Sequence, residues 1–209
     1  LALDRHVTLE WIDGDARGLV VDGERPPVGF GDLLDAGLAP LGLPEDGTLE
    51  VHSRIPVGRG LGSSASLRIG LEVVRRHIVG GECSREAVLE AVVRAEGHPD
   101  NAAPALYGGL VVATVQGDRT RVTPVPISDA VGWAFAAPSV PASTGEMRRA
   151  LPSKVPHGVA VRAVGRMAQL LPALASGEGE AIGWAMRDEL HVPYRLDRIA
   201  GVAGAPQIR

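Results

Sequence analysis

Val7, Leu9 and Trp11 alternate with polar neighbours near the start of the chain, the period of a strand with one buried face. Gly18 to Asp22 is the expected partner of that strand, across a turn near Asp13-Gly14-Asp15. Pro26-Pro27 interrupts the chain, and Phe30 to Gly42 is expected to form a short helix. Leu49 to Ile55 alternates again and reads as a strand. After a glycine-rich turn, Leu67, Leu71 and Val74 recur at helical spacing, which predicts a helix over 64–79 ended by Gly80-Gly81. Ser84 is placed to cap a second helix reaching about Ala95, and Ala102 to Tyr107 reads as a short buried helix. The apolar runs Leu110 to Val115 and Val131 to Ala137 both suit strands, with a turn between two strands at Gly117-Asp118. Ser143-Thr144 heads a helix over 145–151, and Val159 to Leu171 and Glu178 to Glu189 read as two more helices.

Composition narrows what these elements build. A chain of 209 residues is long enough to bury a sizeable core, as one large or two small domains. Its net charge of -4 gives no reason to expect nucleic acid or an anionic membrane as a partner, so any anion binding must come from local charge. Aromatic residues make up 3%, so the core should be aliphatic and a stacking platform for bases is excluded. Cys83 is the sole cysteine, which rules out an internal disulfide or a cysteine-rich metal site and fits a cytoplasmic protein. No apolar run approaches the roughly 20 residues that span a bilayer, and there is no internal repeat or heptad seam.

The stretch Ile55-Pro56-Val57-Gly58-Arg59-Gly60-Leu61-Gly62-Ser63-Ser64-Ala65 links a strand to a helix. Glycines at alternate positions let backbone N–H groups turn inward with no Cβ in the way, and the helix start adds unpaired N–H groups and the positive end of its dipole. That combination is a phosphate cradle, and the serine hydroxyls suit either a phosphate or a magnesium ion. The stretch lacks the Gly-Lys-Ser/Thr ending of the Walker loop and does not fit the Rossmann fingerprint. Arg59 either lies along the phosphates or points to water. Arg68 and the run Arg75-Arg76-His77 read as a solvated helix face.

A second dense cluster is Glu96-Gly97-His98-Pro99-Asp100-Asn101, followed by Ala103-Pro104-Ala105 and Gly108-Gly109. Two carboxylates, an imidazole and an amide beside a rigid proline can bind a metal, a zwitterion or a hydroxyl, or can simply form a solvated Asx-turn.

Pro56-x-x-x-Gly60-Leu61-Gly62-Ser63-Ser64-Ala65 resembles the ATP-phosphate loop of the GHMP kinases. The turn from Glu96 to Asn101 is similar to the active-site stretch of one branch of that superfamily, the homoserine kinases. Ser143-Thr144-Gly145-Glu146-Met147-Arg148 with Leu151-Pro152, and Asp188-Glu189-Leu190-His191-Val192-Pro193-Tyr194-Arg195, resemble two further segments of the same branch. The likeness covers nearly the whole chain, most strongly from Val51 to Ala113 and from Pro138 to Arg195.

The resemblance implies an α+β, two-domain GHMP kinase fold. Residues 1–130 would form an ATP-binding domain like domain 2 of ribosomal protein S5, and 131–209 an incomplete ferredoxin-like domain. It implies ATP bound by Pro56, Gly58, Arg59, Gly60, Leu61, Gly62, Ser63, Ser64 and Ala65, with Mg2+ held by Ser64 and Glu96, Glu90 being the alternative carboxylate. It implies L-homoserine held by His98, Asp100, Asn101, Thr144, Arg148 and Arg195, with Asn101 orienting the hydroxyl, Asp100 facing the ammonium and Arg195 holding the carboxylate. Asn101 and Arg148 would carry the catalytic roles, Arg148 at the substrate or the transferred phosphate. His191 reads as a packed residue or one that supports its neighbours, rather than a catalyst. The product would be O-phospho-L-homoserine for threonine synthesis, and the assembly a candidate homodimer.

Other readings stay open. They are a GHMP kinase acting on mevalonate or a sugar, and a nucleotide-binding module without activity. The family's N-terminal motif and its Ser-Gly-Ala-Gly type loop are both missing, and the Asn-Leu pair expected near the nucleotide base is absent from Asp22 to Pro44. The chain therefore reads as the middle of such an enzyme with both ends cut. The kinase reading requires the acidic turn to lie beside the glycine loop.

Overall fold

The computed structural model describes residues 1–14, 18–22, 44, 46–56, 59–135 and 144–196. The chain divides into two units, Leu1–Val57 with Leu61–Pro124, and Gly58–Gly60 with Val125–Arg209. The architecture is α+β.

In the first unit β1 (Val7–Ile12), β2 (Gly18–Val21) and β3 (Thr48–Ser53) form a sheet in the order β1-β3-β2. Strand β3 runs antiparallel to β1, with Leu9 opposite Val51, and parallel to β2, with Val21 opposite Val51. This corrects the expected pairing of β1 with β2. Leu49 and Val51 are wholly buried in β3. A strand buried to that degree needs hydrogen-bonded neighbours on both edges, so β1 and β2 become its flanks.

Helix α1 (Ser63–Val79) lies on this sheet. Leu67, Leu71, Val74 and Ile78 follow one another at helical spacing and pack with Val7, Leu9 and Trp11 around Leu49 and Val51. Gly70 makes the approach possible, since a Cβ there would run into the side chain of Leu9. Ala65 and Ile69 belong to a second core with Val88, Leu89, Val92 and Val93 of α2 (Arg85–Glu96), Ala102 and Ala103 of α3 (Ala102–Tyr107), and Val111, Ala113 and Val122. The last three come from β4 (Leu110–Gln116) and β5 (Arg119–Val125), the hairpin that turns at Gly117-Asp118. The largest fully buried side chains are Leu49, Leu89, Val51 and Val88, the aliphatic core that the composition predicts.

Both ends of α2 are capped. Ser84 Oγ accepts the N–H of Ala87 at 3.2 Å, and left-handed Gly97 (φ 80°) donates its N–H to Val93 O at 2.7 Å. The helix therefore stops at Glu96 and delivers the acidic turn at a fixed point. Arg75 and Arg76 do not form the solvated face expected of them. Both donate to Glu72, Arg75 through Nε at 2.8 Å and Arg76 through Nε at 2.6 Å, and Arg76 also donates to the carbonyls of Glu82 and Ala87. The Arg75 hydrogen bond is the main reason that the Glu72 carboxyl lies below its ordinary pKa; burial opposes it, and Arg76 and both guanidinium charges add to the lowering.

The second unit holds α4 (Thr144–Arg149), α5 (His157–Ser176), α6 (Gly179–Ala185) and α7 (Val192–Arg195). The strand expected over Val131 to Ala137 does not form over 131–135, where Trp133 and Phe135 are exposed. A strand needs a ladder, and from Val131 onward the described residues contain no strand to pair with. The helix expected over Glu178 to Glu189 ends at Ala185 because Asp188 engages the next turn instead. Its carboxylate accepts the N–H groups of Leu190, His191 and Val192 at 2.7, 2.9 and 2.8 Å. The helix expected over Phe30 to Gly42 lies outside the described residues.

Candidate active site

The glycine loop leads from β3 into α1. Pro56 is described and Gly58 lies outside the described residues. Gly60 (φ 72°) and Gly62 (φ 79°) both adopt the left-handed conformation that glycine takes without strain. The first hydrogen bond of α1 runs from the N–H of Ser66 to Gly62 O at 3.0 Å, and no side chain caps the helix start. The N–H groups of Ser63, Ser64 and Ala65 thus precede the helical ladder and open at the positive end of a 17-residue helix.

The acidic turn lies directly against this end. A Cβ on Gly62 would meet the Asn101 side chain, with Oδ1 at 3.4 Å and Cγ at 3.6 Å. Asn101 stands at the head of α3, yet its amide caps nothing. Ser64 Oγ donates to Glu96 Oε1 at 2.8 Å. Arg68 Nε lies 2.7 Å from the same oxygen, although its N–H is not aimed at it, so that contact is ionic rather than a directed hydrogen bond. His98 continues the chain of polar contacts: Nε2 is 3.7 Å from Glu96 Oε2, and Nδ1 touches Asp100 Oδ1. The Glu96 and His98 side chains are 13% and 14% exposed, whereas Asp100 is 63% exposed, so the cluster runs from a shielded carboxylate to an open one.

Ser64 Oγ and Glu96 Oε1 stand 2.8 Å apart. That is close to the ~3 Å separating neighbouring oxygens around a magnesium ion with ligands at about 2.1 Å. With the serine proton turned away, the pair fits two adjacent positions of such an ion. Among the described residues no group of three or more His, Cys, Asp or Glu side chains can hold a metal. The two oxygens would therefore act together with phosphate oxygens and water.

Two of the remaining segments meet in the second unit. Arg195, at the end of α7, donates through Nε to Met147 O at 3.1 Å, beside Arg148 on α4. Thr144 opens α4, and its side chain lies outside the described set. His191 is exposed, with its backbone N–H held by Asp188, which corrects the packed alternative of the two expected for it. Burial alone would raise the Asp188 pKa, but the N–H groups of Leu190, Val192 and His191 and the imidazole charge together hold it below the usual aspartate range. Reading the sequence left Arg68 on a solvated face and gave Asp188 no role of its own. The signal for the first was its place one helical turn after Ser64, and for the second its position three to four residues before a proline-headed helix.

The fold is that of the GHMP kinases, and the model of the GHMP kinases N terminal domain matches residues 33–109. The homoserine kinase of Thermus thermophilus is 34% identical over 210 residues, covering 98% of this chain and 71% of the relative. That of Prochlorococcus marinus (strain MIT 9303) is 41% identical over 167 residues, 79% of this chain and 52% of the relative. The crystal structure of homoserine kinase from Cytophaga hutchinsonii superposes with a TM-score of 0.66 at 24% identity, over 94% of this chain and 67% of that one, a likeness of fold. The chain belongs to the homoserine kinase family. It spans about half the length of the curated relatives that match it at 40–41% identity.

Proposed function

We propose that the complete protein transfers the γ-phosphoryl group of ATP to the side-chain hydroxyl of L-homoserine, giving O-phospho-L-homoserine and ADP. The packing of Asn101 against Gly62 carries this reading, because it sets an amide suited to a hydroxyl acceptor beside a phosphate-binding helix end. The acceptor oxygen forms the new bond to the γ-phosphorus as the bond to the ADP oxygen breaks, and the hydroxyl proton leaves to solvent. An amide is no strong base. It does not need to be one, since a loose transition state is helped mainly by alignment and charge neutralisation.

In this reading the N–H groups of Ser63, Ser64 and Ala65, with Gly60 and Gly62, hold the phosphates. Ser64 and Glu96 hold magnesium, which when bound neutralises phosphate charge. Asp100 receives the substrate ammonium, His98 lines the pocket, and Asn101 orients the hydroxyl. Arg148 is assigned to the phosphate, Arg195 to the substrate carboxylate through two parallel hydrogen bonds, and Thr144 to the substrate. No helix among the described residues is long and apolar enough to cross a membrane. A cytoplasmic setting and a role in threonine synthesis belong to the same proposal.

The test is a coupled ATP assay on the complete gene product with homoserine, mevalonate and galactose in parallel. Turnover with homoserine alone supports the reading. ATP consumption with either of the other two, and none with homoserine, assigns the protein to another branch.

A further inference from the structure

We propose that Arg68 is a positioning residue that occupies the place of the divalent cation at Glu96 until metal and nucleotide arrive. The inference rests on the reading of Ser64 and Glu96 as the metal-binding pair. Arg68 follows Ser64 by one helical turn, so both side chains leave the same face of α1. Both converge on one atom, Glu96 Oε1, Ser64 from 2.8 Å and Arg68 from 2.7 Å.

The quality of the two contacts differs. Ser64 makes a directed hydrogen bond, whereas the shielded Nε–H of Arg68 has no acceptor in line with it among the described residues. The guanidinium is held there by charge, and a contact held by charge exchanges for another cation without breaking a well-formed hydrogen bond. With 13% of its side chain exposed, Glu96 would otherwise face the apo state as a shielded carboxylate with only a hydroxyl and the more distant His98 imidazole to balance it. Arg68 supplies that balance and keeps Oε1 turned toward Ser64.

A guanidinium and a divalent ion repel one another strongly when both are in contact with one oxygen. Arg68 must therefore leave Glu96 as the metal enters, and its side chain, 36% exposed, has the long flexible stem to do so. The consequence is a metal site kept in shape without metal, and one whose affinity is set below what Ser64 and Glu96 alone would give.

The test titrates Mg2+ calorimetrically into the complete gene product saturated with a non-hydrolysable ATP analogue. Arg68→Met is expected to tighten the Mg2+ Kd by about three- to tenfold, and Arg68→Lys, which keeps the charge, to stay within about twofold of the parent. In the presence of EDTA the same analogue should bind Arg68→Met more weakly, because Glu96 then faces the phosphates without its counter-ion. Arg68→Gln replaces the methionine variant if circular dichroism shows that the latter does not fold. Unchanged or weakened Mg2+ affinity in a folded charge-removal variant overturns the proposal. Glu96→Gln separates the two readings: loss of Mg2+ affinity there with no tightening in Arg68→Met removes the role of Arg68 alone, whereas parent-like affinity in Glu96→Gln removes the metal site and the proposal with it.

Discussion

Ser64 Oγ donates a 2.8 Å hydrogen bond to Glu96 Oε1, although the two residues are 32 positions apart and lie on different helices. One lies in the first turn of α1 and the other closes α2, so the bond ties the end of the glycine loop to the acidic turn. Two caps fix its endpoints, left-handed Gly62 before the first helix and left-handed Gly97 after the second. The contact is short because Ala65 and Ile69 pack α1 against Val88, Leu89, Val92 and Val93.

Removing the hydroxyl tests that tie. Ser64→Ala deletes one proposed metal oxygen and leaves Glu96 with Arg68 and the more distant His98 imidazole. We expect kcat/KM for ATP to fall by about 10²-fold, with a higher Mg2+ concentration needed for half-maximal rate. Thermal stability should change by less than about 1 kcal/mol, since one exposed hydrogen bond is lost. Steady-state kinetics across a Mg2+ series checks the first and a melting curve the second.

Gly62→Ala should damage binding and stability together. The position has φ 79°, which costs a residue with a Cβ about 1–2 kcal/mol, and the new methyl would sit in van der Waals contact with Asn101 Oδ1 at 3.4 Å, filling space beside the amide. Weaker nucleotide binding with a lowered melting temperature is the expected result. The same substitution at Gly60 (φ 72°), where nothing lies within 4 Å, should show the backbone penalty without disturbing Asn101.

Gly70 supports the fold and touches none of the proposed site residues. A side chain there collides with Leu9, so Gly70→Val should lower stability by about 1–3 kcal/mol through overpacking between α1 and the sheet. Urea denaturation reads this directly. Gly70→Val combined with Leu9→Ala should recover part of the loss, because the collision partner is gone.

Asp188 sets an acid limit on the start of α7. Its folded pKa lies below the ordinary aspartate value, so its stabilisation is fully present above about pH 4 and is lost as pH falls through the lowered folded value. Amide exchange at Leu190, His191 and Val192 should accelerate over that acid range. Asp188→Ala should accelerate it at neutral pH, with a loss of about 1 kcal/mol, typical of a capping carboxylate. The Nε bond from Arg195 to Met147 O would loosen with it.

Much of the site was legible because its chemistry is local. Gly60, Gly62, Ser63 and Ser64 lie within five residues, and Glu96 to Asn101 within six, so their spacing alone marked out a glycine-rich helix start and a polar turn. Helix ends were legible for the same reason: Ser84 and Gly97 act on backbone groups three or four positions away. Arg68, Arg75 and Arg76 were misread because their partners, Glu96, Glu72 and the carbonyls of Glu82 and Ala87, become neighbours only through helix geometry or packing. The pairing of β2 with β3 rather than β1 was also illegible, since both pairings satisfy the same alternation and differ only in which strand is buried on both edges.

The sequence by itself determined the periodicities, the caps and the two polar motifs, because each is written in residues that act on backbone or side chains within about one helical turn. Tertiary structure alone decided that β3 lies between β1 and β2, that Asn101 rests on Gly62, and that Ser64 and Arg68 meet at one oxygen of Glu96. Those outcomes follow from burying Leu49, Val51 and the facing sides of α1 and α2 at once, a condition on the whole first unit that no window of the chain contains.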